Sequence, residues 1–391
     1  MFESITFRNQ KHEDNRPIDI GMLLECMMFY QNTKVVADRS ILRQLLKEIG
    51  VDSLVELIEI GLLEIFYTES FVGIRTKKGV FNIEFHDPVI FSSPQHQFQD
   101  IIREECIELT GKEGKGRRIA RKIEGYVNVI NHNSDVVKGG EKILLDQKYL
   151  SVAIPLVLKR LLPNLKIDSD LLFSTEKTPQ GIMLYTNIDF GKLNNLCQEK
   201  VPGGPVSISP ARLLSHIYNA ECDLYFASTL LTEIATNDIS SGLMVERLKY
   251  LVDKSNKSQK DIKQFKEFVF ADGKMLREAV NTKNVEIKDV VKVLLKSSKF
   301  KQWLKNQSAN GDLLKEYYKA VTKDSFLDKL PSKMSRWIIF TGLGMIADVL
   351  GASGLGTASG LSLSATDTFL LDRLIRGWNP SQFIDQKVKK L

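Results

Sequence analysis

The chain has little of the residue types that build metal, redox and disulfide chemistry: four cysteines and five histidines in 391 residues. Cys26, Cys106, Cys197 and Cys222 lie far apart in apolar or helical surroundings, with no C-x-x-C pair and no nearby histidine to complete a zinc site. They read as buried free thiols, which predicts a reducing, cytoplasmic compartment. His12, His86, His96, His132 and His216 are just as scattered. His86-Asp87 and His96 would do acid–base work only if folding joined them. The opening stretch MFESITFRNQKHEDNR lacks the apolar core of roughly seven or more residues that a secretory signal needs, so none is expected there.

Nucleotide and nucleophile motifs are missing too. No G-x-S-x-G elbow stands at a strand-to-helix turn, and no kinase signature is present. Gly111 to Arg118, GKEGKGRR, lacks the Walker spacing and follows a helical pattern instead of a strand. Gly354 to Gly360 has the spacing G-x-G-x-x-x-G, one residue longer than the dinucleotide fingerprint, and no strand precedes it. No cofactor is expected. Asp272 with Glu286 and Lys288 matches the spacing of a metal-nuclease core. That chemistry needs Glu and Lys on one strand face, whereas these two open a helix, so no metal site is assigned. Asp38, at a strand end, is a lone carboxylate; Glu56, Glu59 and Asp87 follow no spacing rule that would join it, and a surface or capping role is expected.

What is present is an ordinary globular composition, 43% hydrophobic and 26% charged, in a chain long enough for two or three units. An apolar helix is expected over Ile18 to Tyr30, a buried strand over Lys34 to Asp38, and helices over Ser40 to Ile49 and Asp52 to Ile60. Between Leu62 and Phe85 the period falls to two, predicting a three-stranded antiparallel meander. Helices follow at about 97–110, 116–131, 140–149 and 150–162. A hairpin is then expected from Leu165 to Thr175 and Gly181 to Phe190, turning over Glu176 to Gln180.

Val201 to Pro210 holds three prolines and two glycines and marks the expected linker. Beyond it only helices are expected, beginning with Ala211 to Thr236, then 243–253, 257–270, 273–281, 285–297 and 312–322. The predicted class is α+β: a mixed α/β half over 1–200 with antiparallel hairpins, a linker at 201–210, a helical domain at 211–330 with a basic face, and a Gly-rich apolar helical hairpin with a basic tail at 331–391.

Charge is concentrated. Lys254 to Lys305 carries fourteen basic against six acidic residues, a local balance of +8 in a chain of net +6. Lys288, Lys292 and Lys296 recur every fourth residue and form a stripe on one helix face. Lys254, Lys257, Lys260, Lys263 and Lys266 recur every third and wrap around their helix. A second basic cluster, with Lys115, Arg117, Arg118 and Arg121, sits where a Gly-rich loop is expected to enter a helix and could meet phosphate there. Both sets are also what a solvated helix face looks like.

Trp337 to Thr366 has one formal charge, Asp348, and six glycines. Two apolar arms, about 332–350 and 361–377, are expected around a small-residue middle. Asp348 and the low apolar content argue against a membrane span. The small residues Gly351, Gly356 and Gly360 suit close helix approach and hence self-association. Together these features predict a non-enzymatic cytoplasmic binding or assembly protein, a homo-oligomer whose basic helix contacts nucleic acid or another polyanion. The alternatives are an effector that perturbs membranes through the Gly-rich segment on a conditional contact, and a metal-dependent nuclease.

Overall fold

A computed structural model describes residues 4–9, 16–92, 97–163, 165, 170–200, 207–254, 265–269, 276–304, 338–342 and 382–384. The chain opens with strand β1 (Ser4–Phe7), helix α1 (Ile20–Phe29), strand β2 (Asn32–Ala37), helices α2 (Arg39–Glu48) and α3 (Val51–Glu59), and strand β3 (Leu63–Tyr67). Because α1 carries apolar residues on nearly every side, all ten of its residues are buried, Glu25 among them. Truncating Leu23 or Leu24, both fully buried, removes packing worth about 2–5 kcal/mol. Asp19 caps α1 by accepting from the Met22 N–H at 2.8 Å. Asp38 does the same for α2, accepting from the Ile41 N–H at 2.9 Å, the second of the surface or capping roles expected for it.

The next elements are strands β4 (Ser70–Lys78) and β5 (Glu84–Ser92), helices α4 (Phe98–Thr110) and α5 (Glu113–Glu124), strand β6 (Val127–Val129), and helices α6 (Ser134–Leu144) and α7 (Gln147–Leu161). Strands β7 (Phe173–Thr178) and β8 (Gly181–Thr186) precede helices α8 (Phe190–Lys200) and α9 (Pro210–Leu230), strand β9 (Glu233–Thr236) and helix α10 (Asp238–Lys254). Later elements are strand β10 (Phe265–Val269), helices α11 (Leu276–Asn281) and α12 (Ile287–Leu304), and strands β11 (Ile338–Gly342) and β12 (Gln382–Ile384).

Two sheets result. The larger runs β10-β11-β12-β9-β1-β2-β3-β6, and the smaller β4-β5-β8-β7. From β12 through to β6 every neighbour is parallel. The smaller sheet is antiparallel throughout. The content is therefore mixed α and β, with one mostly parallel and one antiparallel sheet.

Strand alternation sorts side chains between two cores. Ile5, Phe7, Val35, Ala37, Ile65 and Tyr67 pack with α1, α2 and α3 in one cluster, which α11 and α12 also join. Ile234, in register with Thr6, belongs to a second cluster built from α6, α7, α9 and α10. Among the described residues no helix is long and apolar enough to cross a membrane.

Several expectations are corrected. The three-stranded meander does not form: β3 pairs in parallel with β2 and β6, and only β4 and β5 make the hairpin. A period of two reports a half-buried strand and is blind to the direction of its neighbours. The helix expected over 116–131 stops at Glu124, and three residues of β6 follow. The second hairpin turns at Pro179-Gln180, because Glu176 to Thr178 still pair with β8.

The helix expected to reach Thr236 ends at Leu230, and β9 follows it. The part beyond the Pro/Gly-rich stretch is thus not strand-free. Phe265–Val269 and Ile338–Gly342, expected in helices, are likewise strands. The rest of the Gly-rich segment, with Gly351, Gly356 and Gly360, and the lysines from Lys257 to Lys263 lie outside the described residues.

Candidate functional site

Helix α4 ends on Gly111, whose φ of 59° gives the left-handed turn that stops it. The loop is only Gly111-Lys112; Gly114 and Gly116, expected in it, belong to α5. Gly116 is there because the helices touch: a Cβ would lie 2.6 Å from the Ile107 Cα. Gly116, Ala120 and Ile123 are the buried residues of α5 and share one side. Lys115, Arg117, Arg118, Arg121 and Lys122 are all exposed. At about 100° per residue they fill an outward arc of roughly 160° in which the only other residue is Gly114.

Of these cations, only Arg117 has an acidic partner among the described residues, Glu113. The acids of neighbouring α4 are engaged elsewhere. Arg39 on α2 binds Glu104 and Glu105 at 3.1 and 2.8 Å. Arg43 binds Glu108 and lies 3.4 Å from Glu105. The basic face of α5 therefore keeps its charge.

The stripe on α12 is weaker. Val290, Val291 and Leu294 are buried in the first core, and Lys288 and Lys292 are exposed on the other side, as the pattern predicts. Lys292 is bound to Asp289 at 2.9 Å, and that hydrogen bond raises its pKa. The surroundings of the Lys296 side chain are outside what is described.

Among the described residues no candidate metal group is assembled. Asp272 and His96 lie outside the described residues. Glu286, expected inside the helix, immediately precedes α12, and its carbonyl accepts from Asp289 and Val290. Glu59 accepts from Tyr126, and Asp87 from Lys77. Among the described residues no three His, Cys, Asp or Glu side chains stand close enough to hold a metal ion.

A different polar group is assembled at the carboxyl edge of the parallel strands. Arg8 follows β1, Asp38 follows β2, Ser70 lies just beyond β3, His132 follows β6, and Thr236 ends β9. Helix α9 crosses this edge and contributes Tyr218, Asn219, Asp223 and Phe226. The Arg8 Nε–H donates to Asp223 Oδ1 at 2.5 Å, and its Nη2 donates to the Asn219 carbonyl at 3.1 Å. Thr236 Oγ1 donates to Asp223 Oδ2 at 3.1 Å. Burial works most strongly against the Arg8 charge, but Asp223, with Cys222 and Asp38 adding to it, holds the guanidinium pKa above its ordinary value.

Comparison with protein-family models, curated proteins and solved structures finds no match to this chain. The geometry of the edge has to speak for itself. His132 lies edge-on to Phe226, ring centres 4.9 Å apart, and Arg8 stands 6.0 Å from the same ring. Ser70 Oγ lies 2.9 Å from His132 Nδ1. Burial, with Arg8 adding to it, pushes the His132 imidazole down to about 3. Tyr218 is fully buried, and burial raises its phenol. Gly140 admits its ring, since a Cβ there would fall 2.3 Å from Tyr218. The Tyr218 hydroxyl and His132 Nε2 have no hydrogen-bond partner among the described residues.

Of this edge the sequence drew attention only to Asp38, as a lone carboxylate, and to His132, as one of five scattered histidines, and made a site of neither. Its residues come from six separate segments between Arg8 and Thr236. The usable signal was the parallel β-α-β order, and that was hidden while β9 read as helix.

Proposed function

We propose that this is a non-enzymatic polyanion-binding protein that engages the phosphate backbone of nucleic acid through the outward face of α5. The observation that carries it is the uncompensated arc of Lys115, Arg118, Arg121 and Lys122, whose acidic neighbours on α4 are held by Arg39 and Arg43. A rigid helix seated on another presents these cations at fixed spacing, which suits backbone contact without sequence readout. Helix α12, with Lys288, Lys292 and Lys296, is a secondary contact in this proposal. Self-association through the segment holding Gly351, Gly356 and Gly360 would multiply weak contacts by avidity.

The test is fluorescence anisotropy with duplex DNA, single-stranded DNA and RNA over a salt series. Binding should weaken steeply with salt. The triple change Lys115→Glu, Arg118→Glu, Arg121→Glu should abolish it at about 0.15 M salt while leaving the circular dichroism spectrum intact. No binding by the parent, or equal binding by the variant, would refute the proposal.

A further inference from the structure

The parallel sheet has a place where its strand order changes sense. From β1 the chain proceeds to β2 and β3 on one side, while the neighbour on the other side, β9, arrives only at Glu233. In open α/β sheets such switch points, at the carboxyl ends of the strands, are where small ligands lie, because the connecting segments diverge and leave a crevice. The polar group around Arg8 stands at this point.

We propose that this edge binds the oxyanion, carboxylate or phosphate, of a small-molecule ligand, with Arg8, His132 and Tyr218 as the donors. The donors are counted from the hydrogen bonds. Arg8 uses Nε and Nη2 on Asp223 and Asn219, and its Nη1 makes no hydrogen bond to a described residue. Ser70 Oγ accepts the His132 backbone N–H at 3.2 Å. Ser70 Oγ lies 2.9 Å from His132 Nδ1 and 3.4 Å from Asn131 Oδ1, so either Ser70 or the imidazole can supply the hydrogen of the shorter contact. An anion at Nε2, the atom with no partner, selects the tautomer that carries its hydrogen there, with the Ser70 hydroxyl donating to Nδ1. The Tyr218 hydroxyl is a third donor, fully buried and without an acceptor.

A buried hydroxyl and imidazole without partners are unfavourable unless something occupies them part of the time. The local field also favours an anion. Helices α2, α6 and α10 all start at this edge, on Asp38, Asn133 and beside Asn237, so three positive helix ends face it. Only one of those caps, Asp38, is charged. Asp223 is already neutralised by Arg8. Of the carboxylates at these helix ends, Asp38 accepts from Asn9, Ser40 and the Ile41 N–H, and Asp135 stands in the first turn of α6.

The test uses the full chain and two probes, sodium phosphate and sodium malonate, against sodium chloride at matched ionic strength. One oxyanion should raise the melting temperature saturably, and titration calorimetry should give a matching affinity. Tyr218→Phe removes only the unpartnered oxygen, so the unliganded variant should melt no lower than the parent and yet bind the anion at least tenfold more weakly. His132→Gln should weaken binding in the same way, and the α5 charge reversals should leave it unchanged. Whichever of phosphate or malonate binds identifies the ligand head group. Absence of a saturable shift with both, or parent-like affinity in Tyr218→Phe and His132→Gln, would overturn the proposal.

Discussion

Arg8 and Asp223, separated by 215 positions, meet in a buried ion pair that fastens helix α9 to the end of β1, with side chains 11% and 6% exposed. The pair is further tied by Asn219 and Thr236, so both charges are solvated by protein instead of water.

Breaking that pair from one side strands the other charge. Arg8→Ala alone and Asp223→Ala alone are each expected to cost about 3–5 kcal/mol. The double replacement should cost clearly less than the two together, because neither charge is then left alone. Urea denaturation of the four proteins closes the cycle. Additive losses would show that the pair contributes little beyond the packing of its two stems.

The imidazole of His132 gives the stability a defined pH dependence. Its pKa is about 3 in the folded chain, against about 6.5 when unfolded. Between those values the unfolded state binds a proton that the folded state refuses, so stability must rise with pH in that window. Above about pH 6.5 the residue costs nothing; as the pH falls toward 3 it costs up to about 1.4 kcal/mol per unit. His132→Gln should therefore gain on the parent as the pH drops from 7 to 4, measured as the difference in unfolding free energy. A difference that stays flat would mean that the imidazole is hydrated in the folded state.

Helix seating makes an equally sharp expectation at Gly116. Alanine is the better helix former by about 1 kcal/mol. Here, however, its methyl would meet the Ile107 backbone, with the Cα 2.6 Å away. Backbone cannot step aside as a side chain does, so Gly116→Ala should destabilise by about 1–3 kcal/mol in spite of the propensity gain. Gly114→Ala, two residues earlier with open space around it, should be neutral or stabilising. A lower thermal midpoint for the first variant alone would establish that α5 is held by this contact.

These elements differ in how far the sequence revealed them. Ile18 to Tyr30 announced a buried helix because no polar stripe interrupts it, and Asp38, an acid where a strand gives way to a helix, pointed to a surface or a capping role without deciding between them. The cluster from Lys115 to Arg121 was visible because its residues are contiguous, although the loop and helix around it were divided in the wrong place. Parallel pairing of β3 was not visible, since Leu63 to Tyr67 alternates in the same way whatever lies beside it. Nor was β9. Its four residues follow a 21-residue helix without a break in hydrophobicity, and length is what normally separates strand from helix in such runs. With β9 hidden, nothing placed Arg8, His132 and Asp223 together.

The two basic helices can be ranked by what stands beside each cation. On α5, Lys115, Arg118, Arg121 and Lys122 have no ion-pair partner among the described residues, whereas on α12 Lys292 is held by Asp289. An exposed pair of this kind contributes little to stability, but its carboxylate repels a phosphate arriving at the same lysine. Charge reversal at Lys115, Arg118 and Arg121 should then lower the slope of log affinity against log salt by about one unit per contact removed. Reversal at Lys288 and Lys292 should lower it by about one unit or less. Measuring both slopes on one duplex, with the same salt series, decides whether α5 or α12 leads the contact. A larger loss at α12 would transfer the nucleic-acid face to that helix.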